Sequence, residues 1–210
     1  MQFGNRRFAY GNLFPCSKKM DSCVPKVMIL GHSFVRRLHK DLEDNFDDRA
    51  KRDFDLQDAY IRLFGSGGRT VTKVLQYDLN NVVLFAPDII ILDIGTNDLT
   101  VKPPEKVGSD IDDLTRKLIS DFSVSIVVVC SVIPRASSTH FNEKARMLNH
   151  YLSVVIDSPR LFYWQHCKLL KPTKPVLLAD GVHLNLHGQY ALYRSYRGAI
   201  LKALKVLKSV

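Results

Sequence analysis

The sequence predicts an α/β fold, a three-layer α/β/α domain built on a parallel five-stranded sheet. One observation behind this is that short apolar runs rich in Val and Ile alternate with amphipathic stretches of helical spacing. Another is that some runs, such as Ile89–Leu92, are continuously apolar, which suits strands covered on both faces. Strands that alternate with helices favour a parallel sheet with right-handed crossovers.

Five runs have the length and composition of strands: Lys26–Leu30, Ile61–Phe64, Asp88–Ile94, Ser125–Val132 and Leu161–Trp164. Three other stretches repeat their residues every three or four positions and therefore predict helices. These residues are Val107, Ile111, Leu114 and Leu118; then Phe141, Ala145, Leu148, Leu152 and Val155; and finally Tyr193, Arg197, Ile200, Leu204 and Leu207.

The chain of 210 residues, with 46% hydrophobic and 24% charged residues, has the composition of one compact globular domain. Residues 1–24 lack periodicity, so we assign them to an irregular leader and residues 25–210 to the domain. Neither a signal peptide nor a membrane-spanning run is apparent, which favours an intracellular, cytoplasmic location. Cys130 is expected to be buried, and a bridge between Cys16 and Cys23 stays open for an oxidising compartment.

The net charge of +9 is concentrated near the C-terminus, where residues 161–210 carry eight Lys and Arg and a single acid, Asp180. One explanation is a solvated helix face. Another is weak electrostatic binding to nucleic acid or an anionic membrane through the C-terminal helix. No nucleic-acid-binding motif accompanies the charge, so we expect such binding to be an added property rather than the main function, and no stable partner.

Four polar groups follow predicted strands or precede the last helix, where ligands of open parallel sheets collect. The first contains Ser33, directly after the first strand, and the second is the glycine-rich Gly65–Thr70. Ser33 is either a nucleophile held above the sheet edge or a helix N-cap. The glycines either let the backbone approach a ligand or form a turn, and they match neither a phosphate loop nor a dinucleotide fingerprint.

The other two groups are Gly95–Asp98 and Asp180–His183. Asn97 either aims its amide at a developing oxyanion or bonds its own backbone in a turn. Asp180 either fixes the tautomer of His183, which leaves the other ring nitrogen free as a base, or belongs to an Asp-Gly turn beside an incidental His. Together the four groups supply a nucleophile, oxyanion donors and an oriented base, the parts that acyl transfer needs.

In order, these groups resemble the sequence blocks of SGNH/GDSL hydrolases, a family of esterases and lipases. The matching residues are Gly31-His32-Ser33, Gly65-x-x-Gly68-x-Thr70, Gly95-Thr96-Asn97-Asp98 and Asp180-x-x-His183. The resemblance spans about residues 26–206. It implies a flavodoxin-like sheet and hydrolysis of a small-molecule carboxylic ester through an acyl-serine intermediate, with no metal or organic cofactor. Brief connecting loops favour short acyl groups such as acetyl.

The resemblance also implies a role for each matching position. Ser33 is the nucleophile and, through its N–H, the first oxyanion donor. Gly68 gives a second backbone N–H and Asn97 a side-chain amide. His183 is the base, and Asp180 orients it.

Two departures and two alternatives accompany this assignment. The family's first block usually reads Gly-Asp-Ser, whereas this chain has His32, and the adjacent Gly67 leaves open which glycine donates. One alternative is a degenerate scaffold that keeps the fold and binds a ligand without turnover. Separately, the chain is similar in length and basic charge to the esterase domains that family members in animal non-LTR retrotransposons have. The α/β-hydrolase elbow is disfavoured because Val35 stands where its motif needs glycine.

Overall fold

The computed structural model describes residues 24–136 and 138–209. Nearly all of the leader predicted for residues 1–24, and the open pairing of Cys16 with Cys23, lie outside the described residues. The predicted burial of Cys130 is confirmed, because its side chain is fully buried. No helix in the described segments combines the length and the apolar character needed to cross a bilayer.

The described residues form one sheet with the strand order β2-β1-β3-β4-β6-β5. Its strands are β1 Lys26–Gly31, β2 Tyr60–Gly65, β3 Ile89–Asp93, β4 Ile126–Cys130, β5 Asp157–Ser158 and β6 Leu161–Trp164. The five predicted strands are present and parallel. The prediction of a five-stranded parallel sheet is nevertheless incomplete, since β5 adds an antiparallel edge strand. Its two residues are exposed and polar, so no apolar pattern marks it in the sequence.

The helices are α1 Ser33–Glu43, α2 Val71–Tyr77, α3 Leu79–Phe85, α4 Pro104–Asp121, α5 Thr139–Val155, α6 Cys167–Leu170 and α7 Leu186–Leu207, with a 3₁₀ turn at Asp98–Thr100. The three helices predicted from periodicity are α4, α5 and α7. On α7, Tyr193, Ile200 and Leu204 of the predicted set are buried, and so is Tyr196, which that set does not include. Arg197 is partly exposed, and its guanidinium donates to the carbonyl of Phe54 at 2.9 Å.

Helices cover both faces of the sheet and define two cores. Alternate residues of β1 illustrate this: Val27 and Ile29 pack in the core under α1 and α7, whereas Met28 and Leu30 pack in the core under α2 to α5. Because successive strand residues point to opposite faces, a strand between two helical layers must be apolar throughout. The three-layer α/β/α architecture predicted from the sequence is therefore confirmed.

The carboxyl ends of β1 and β3 approach each other closely. A Cβ atom on Gly31 would lie 2.3 Å from the carbonyl oxygen of Asp93, so only glycine fits at the end of β1. The chain leaves β1 through His32 into α1 and leaves β3 through Gly95–Asp98. The first and third predicted site blocks thus begin at neighbouring points of one sheet edge.

Candidate active site

Ser33 is the first residue of α1, and the residue before it caps the helix. The Nδ1 atom of His32 accepts the backbone N–H of Phe34 at 3.4 Å, and the backbone of His32 is extended, as an N-cap requires. The alternative in which Ser33 itself is the N-cap is therefore wrong. Its backbone N–H lies in the first turn of α1, where the helix dipole favours negative charge.

Asp180 holds His183 through both of its carboxylate oxygens. Oδ1 accepts the backbone N–H groups of Val182 at 2.9 Å and of His183 at 2.8 Å, while Oδ2 lies 2.7 Å from Nδ1 of the His183 ring. The hydrogen bond from the backbone of His183, together with those from its ring and from Val182, holds the pKa of Asp180 well below its ordinary value. An ionised carboxylate at Nδ1 favours the tautomer with hydrogen on that nitrogen, which leaves Nε2 as the basic atom.

The loop that carries His183 lies over the start of α1. The ring centroid of His183 is 6.5 Å from that of Phe34, the neighbour of Ser33, in an edge-to-face arrangement. Among the described residues no hydrogen bond joins Ser33 to His183. Catalytic hydrogen bonds are often long in a free enzyme and tighten when substrate binds. The structure therefore places the loop of His183 beside the start of α1, where Ser33 lies, without a hydrogen bond between these two residues.

The third block holds the glycine-rich second block in position. The side-chain amide of Asn97 donates to the carbonyl of Arg69 at 2.8 Å. The buried carboxylate of Asp98 accepts the N–H of Val71, the first residue of α2, at 3.1 Å, and so satisfies a free donor at the start of that helix. Gly68 has a φ of +65°, which strains any other residue. One amide hydrogen of Asn97 remains for a ligand, and Asp98 is a structural residue to which sequence reasoning gave no role.

A buried acid lies directly behind the nucleophile loop. Asp93 ends β3, and its side chain is 4% exposed. Its Oδ1 is 3.3 Å from Nε2 of His32, and its Oδ2 accepts the hydroxyl of Tyr196 from α7. Burial alone would raise the pKa of Asp93, yet the pKa lies below its ordinary value because His32, His166 and Tyr196 together outweigh burial. In the sequence, the indication of this buried residue is an acid at the end of a strand that is otherwise apolar.

The buried cluster extends through His166, which comes after β6. Its Nε2 lies 3.9 Å from Oδ2 of Asp93, too far for a hydrogen bond. On the other side of the ring, Nδ1 lies 2.7 Å from the hydroxyl oxygen of Ser195, which also accepts the indole N–H of Trp164 at 3.0 Å. Burial lowers the pKa of His166. These partners are far apart in sequence, so no local pattern predicts the cluster.

The loop between β4 and α5 borders two of the predicted blocks. Arg135 donates through Nη2 to the carbonyl of Thr96 at 3.3 Å, and the N–H of Ala136 donates to the carbonyl of Gly181 at 2.8 Å. A cavity of about 690 Å³ opens beside this loop, with Pro134 and Asn142 in its wall. Neither the loop nor the cavity was singled out from the sequence.

Comparison with protein-family models identifies the family of the chain. The family model for GDSL-like Lipase/Acylhydrolase matches residues 30–194. None of the curated protein sequences compared with the chain matches it significantly.

Solved structures of similar architecture come from several bacteria. A GDSL-like lipase from Bacteroides thetaiotaomicron is 19% identical with a TM-score of 0.66, over 85% of this chain and 88% of that one. A lipolytic G-D-S-L family member from Veillonella parvula is 16% identical with a TM-score of 0.66, over 81% and 94%. A mutant acetyl-xylooligosaccharide esterase from Geobacillus stearmophilus is 12% identical with a TM-score of 0.60, over 82% and 92%. At these identities the similarity shows the shared fold.

The family model covers more than half of the chain, and its match runs from the end of β1 into α7, so it includes all four blocks. The chain therefore belongs to the GDSL-like lipase/acylhydrolase family, as an SGNH-type hydrolase that acts on ester bonds.

Proposed function

We propose that the chain hydrolyses carboxylic esters of short acyl groups, such as acetyl, through a covalent acyl-serine intermediate. The observation that carries this proposal is the Asp180–His183 pair, held at 2.7 Å beside the start of α1, where Ser33 lies. A nucleophile near an oriented base is the arrangement that activates a serine. The acetyl-xylooligosaccharide esterase of similar fold is consistent with a small acyl group.

In the first half of the reaction, Nε2 of His183 accepts the hydroxyl proton of Ser33 while Oγ attacks the ester carbonyl carbon. The carbonyl oxygen becomes an oxyanion, which the N–H groups of Ser33 and Gly68 and the amide of Asn97 stabilise by hydrogen bonds. The imidazolium of His183 then gives its proton to the alkoxide that leaves. The products at this stage are a free alcohol and an acyl-Ser33 ester.

In the second half, His183 takes a proton from a water molecule, which attacks the acyl-serine carbonyl. The same donors stabilise the second oxyanion, and its collapse releases a carboxylic acid and restores the Ser33 hydroxyl. The ionised Asp180 carboxylate stabilises the positive ring of His183 in both halves.

Ester kinetics test the proposal. Para-nitrophenyl esters from acetyl to octanoyl are offered to the wild type and to Ser33→Ala, His183→Ala and Asp180→Asn. We expect the highest kcat/KM at the short end, and a loss of about 10³-fold or more for Ser33→Ala. Intact-mass spectrometry of the quenched wild-type reaction should find one acyl group on the protein. A well-folded wild type without turnover of any of these esters would favour a degenerate binding scaffold.

The basic C-terminal helix supports a secondary proposal, electrostatic association with nucleic acid or an anionic membrane. Lys205 on α7 is exposed, whereas Lys208 pairs with Asp58 at 3.1 Å and Lys202 lies over the ring of Phe162 at 4.3 Å. Two of these three lysines, Lys202 and Lys208, thus already have partners within the domain. Binding that falls steeply with salt and is lost when the three lysines are neutralised would support the association.

A further inference from the structure

We propose that Arg135 recognises an anionic group on the substrate, so that the preferred substrate is an ester carrying a second, ionised acid group. This inference rests on the proposed function and names the class of ester that the same site takes. Arg135 belongs to the loop between β4 and α5 and has no place in the acyl-transfer chemistry described above.

The position of Arg135 is the first support. Its Nη2 donates to the carbonyl of Thr96 at 3.3 Å, and Thr96 directly precedes Asn97 in the oxyanion block. The next residue, Ala136, donates its N–H to the carbonyl of Gly181 at 2.8 Å, inside the loop that carries His183. Arg135 therefore lies where the oxyanion block and the base loop meet, within reach of a substrate bound between them.

The fixed orientation of the side chain is the second support. The guanidinium carbon lies 3.9 Å from the ring centroid of Phe141, which is a close cation–π arrangement. The backbone of Arg135 is held on both sides by Asn142, whose Oδ1 accepts its N–H and whose Nδ2 donates to its carbonyl, both at 2.8 Å. A guanidinium held in this way loses little further freedom when a ligand binds.

The absence of a counterion is the third support. Within the described segments no carboxylate lies within 4.0 Å of the guanidinium nitrogens of Arg135, and its buried Nε makes no hydrogen bond to a described residue. Burial also lowers the pKa of Arg135. A guanidinium has five N–H donors in a planar fork that matches carboxylate and phosphate oxygens. Among the described residues the guanidinium makes one hydrogen bond, from Nη2 to the carbonyl of Thr96, so the other hydrogens on its two Nη atoms have no protein partner there.

The neighbouring cavity also has cationic side chains and lacks carboxylates in the part of its wall that the structure describes. Its wall includes Pro134 and Asn142, which neighbour Arg135, together with Arg146 and Lys171, but no Asp or Glu among the residues described. Its volume of about 690 Å³ is within the range of small-molecule sites. An anionic group that enters this cavity from the side of Arg135 would meet cationic and amide groups and no carboxylate of the described cavity wall.

The test compares charged and neutral esters that each release a coloured nitrophenolate. Mono-para-nitrophenyl succinate carries a carboxylate on the acyl side, and para-nitrophenyl butyrate is its neutral counterpart. Meta-carboxy-para-nitrophenyl acetate carries the carboxylate on the alcohol side, and para-nitrophenyl acetate is its neutral counterpart. Hydrogen bonds between charged groups contribute about 1.5–3 kcal/mol, so we expect kcat/KM to favour one anionic ester over its counterpart by about 10- to 100-fold. Which pair shows the preference identifies the side that Arg135 contacts.

Arg135→Gln should abolish the preference, and Arg135→Lys should keep a part of it. Arg160→Gln is the matched control, because Arg160 binds the carbonyls of Val124 and Ser125 at the amino ends of β4 and β6, away from the site, and this variant should keep the full preference. The readout is a ratio of two esters within each protein, so it does not depend on the active fraction. The wild-type ratio, which should fall with added salt, tests the inference even if Arg135→Gln does not fold.

Three results would overturn the inference: wild type that hydrolyses neutral esters as well as both anionic ones, Arg135→Gln that keeps the preference, or Arg160→Gln that loses it equally. The first two leave the proposed function intact if neutral esters are still cleaved in a Ser33-dependent way. If no ester is cleaved at all, the proposed function itself is wrong, and the assignment of Arg135 is wrong with it.

Discussion

The Nε2 atom of His32 lies 3.3 Å from a carboxylate oxygen of Asp93, and both side chains are buried. The resemblance that assigned the site expects an acid just before the nucleophile, and this chain has a histidine there. Here the acid stands instead at the end of the neighbouring strand. Since Nδ1 of His32 accepts from the backbone of α1, the hydrogen on its ring points toward Asp93. The histidine at position 32 therefore has an acidic partner, Asp93, on the neighbouring strand.

Removal of this imidazole should be costly. His32→Ala leaves the buried Asp93 carboxylate without one of its donors and removes the N-cap of α1, so we expect a loss of about 2–4 kcal/mol in the free energy of unfolding. Urea unfolding at neutral pH measures it. The control is His39→Ala: His39 lies 3.6 Å from Glu43 on the exposed face of α1, and its loss should cost less than about 1 kcal/mol. Equal effects of the two variants would contradict a structural role for the His32–Asp93 contact.

Stability should also depend on His166 as the pH falls. Burial holds its pKa below the ordinary value of 6.5, so between these two pKa values the unfolded chain binds a proton that the folded chain does not. The free energy of unfolding therefore decreases as the pH falls below 6.5. Asp93, whose pKa is lowered, adds a separate loss only in more acidic solution.

Unfolding curves at about pH 7.5 and about pH 5.5 measure this effect. His166→Gln should be less stable than the wild type at neutral pH, because it disturbs the bond to Ser195, but should lose less stability on acidification. His140, which is exposed on α5, provides the control, since His140→Gln should follow the wild-type pH dependence. A pH dependence that is unchanged in His166→Gln would show that another group is responsible.

Loss of one oxyanion donor should lower the rate without abolishing it. Asn97→Ala removes the side-chain amide and should reduce kcat for short esters by about 10²- to 10³-fold. The effect should fall mainly on kcat, because the interaction forms in the transition state. Asn80→Ala, on the exposed surface of α3, is the matched control and should behave as the wild type. An Asn97→Ala enzyme with full activity on several esters would mean that the oxyanion is bound elsewhere.

Substitution can distinguish the roles of the two adjacent glycines, Gly67 and Gly68, in the oxyanion site. Ala at Gly68 must adopt a φ of +65°, a strain of about 1 kcal/mol or more that should displace the loop and lower activity. Ala at Gly67 meets only side-chain atoms of Arg36, at 3.7 Å or beyond, and should be tolerated. Ester kinetics of both variants, with thermal unfolding as the control for stability, test the assignment of Gly68. A greater loss for Gly67→Ala than for Gly68→Ala would contradict the assignment of Gly68.

The sequence alone predicts those features of the fold that depend on local patterns. The five parallel strands and helices α4, α5 and α7 appear where apolar runs and three-to-four spacing indicate. Strand β5 was missed because two exposed polar residues, Asp157 and Ser158, pair only through their backbone. The spacing on α7 groups Arg197 with Tyr193 and Ile200, yet Tyr196 is the fully buried residue at this turn, and the long side chain of Arg197 reaches the carbonyl of Phe54.

The candidate site likewise has parts that the sequence predicts and parts that depend on tertiary packing. The order and spacing of the blocks containing Ser33, Asn97 and His183 could be recognised in the sequence. The contact between Asp93 and Tyr196 joins residues 103 positions apart, so it depends on the packing of α7 against the end of β3. The role proposed for Arg135 likewise depends on tertiary packing, because the fold brings the loop after β4 close enough for Arg135 to donate to the carbonyl of Thr96.

Labelling with a fluorophosphonate probe tests the central assignment most directly, because such a probe reacts with an activated serine whatever the natural substrate. The wild type, Ser33→Ala and His183→Ala are incubated with the probe, and peptide mass spectrometry locates the modified residue. The account predicts that the wild type is labelled on Ser33, that Ser33→Ala is not labelled, and that His183→Ala is labelled far more slowly. A folded wild type that stays unlabelled, or one labelled on a different serine, would contradict the assignment of Ser33 as the nucleophile.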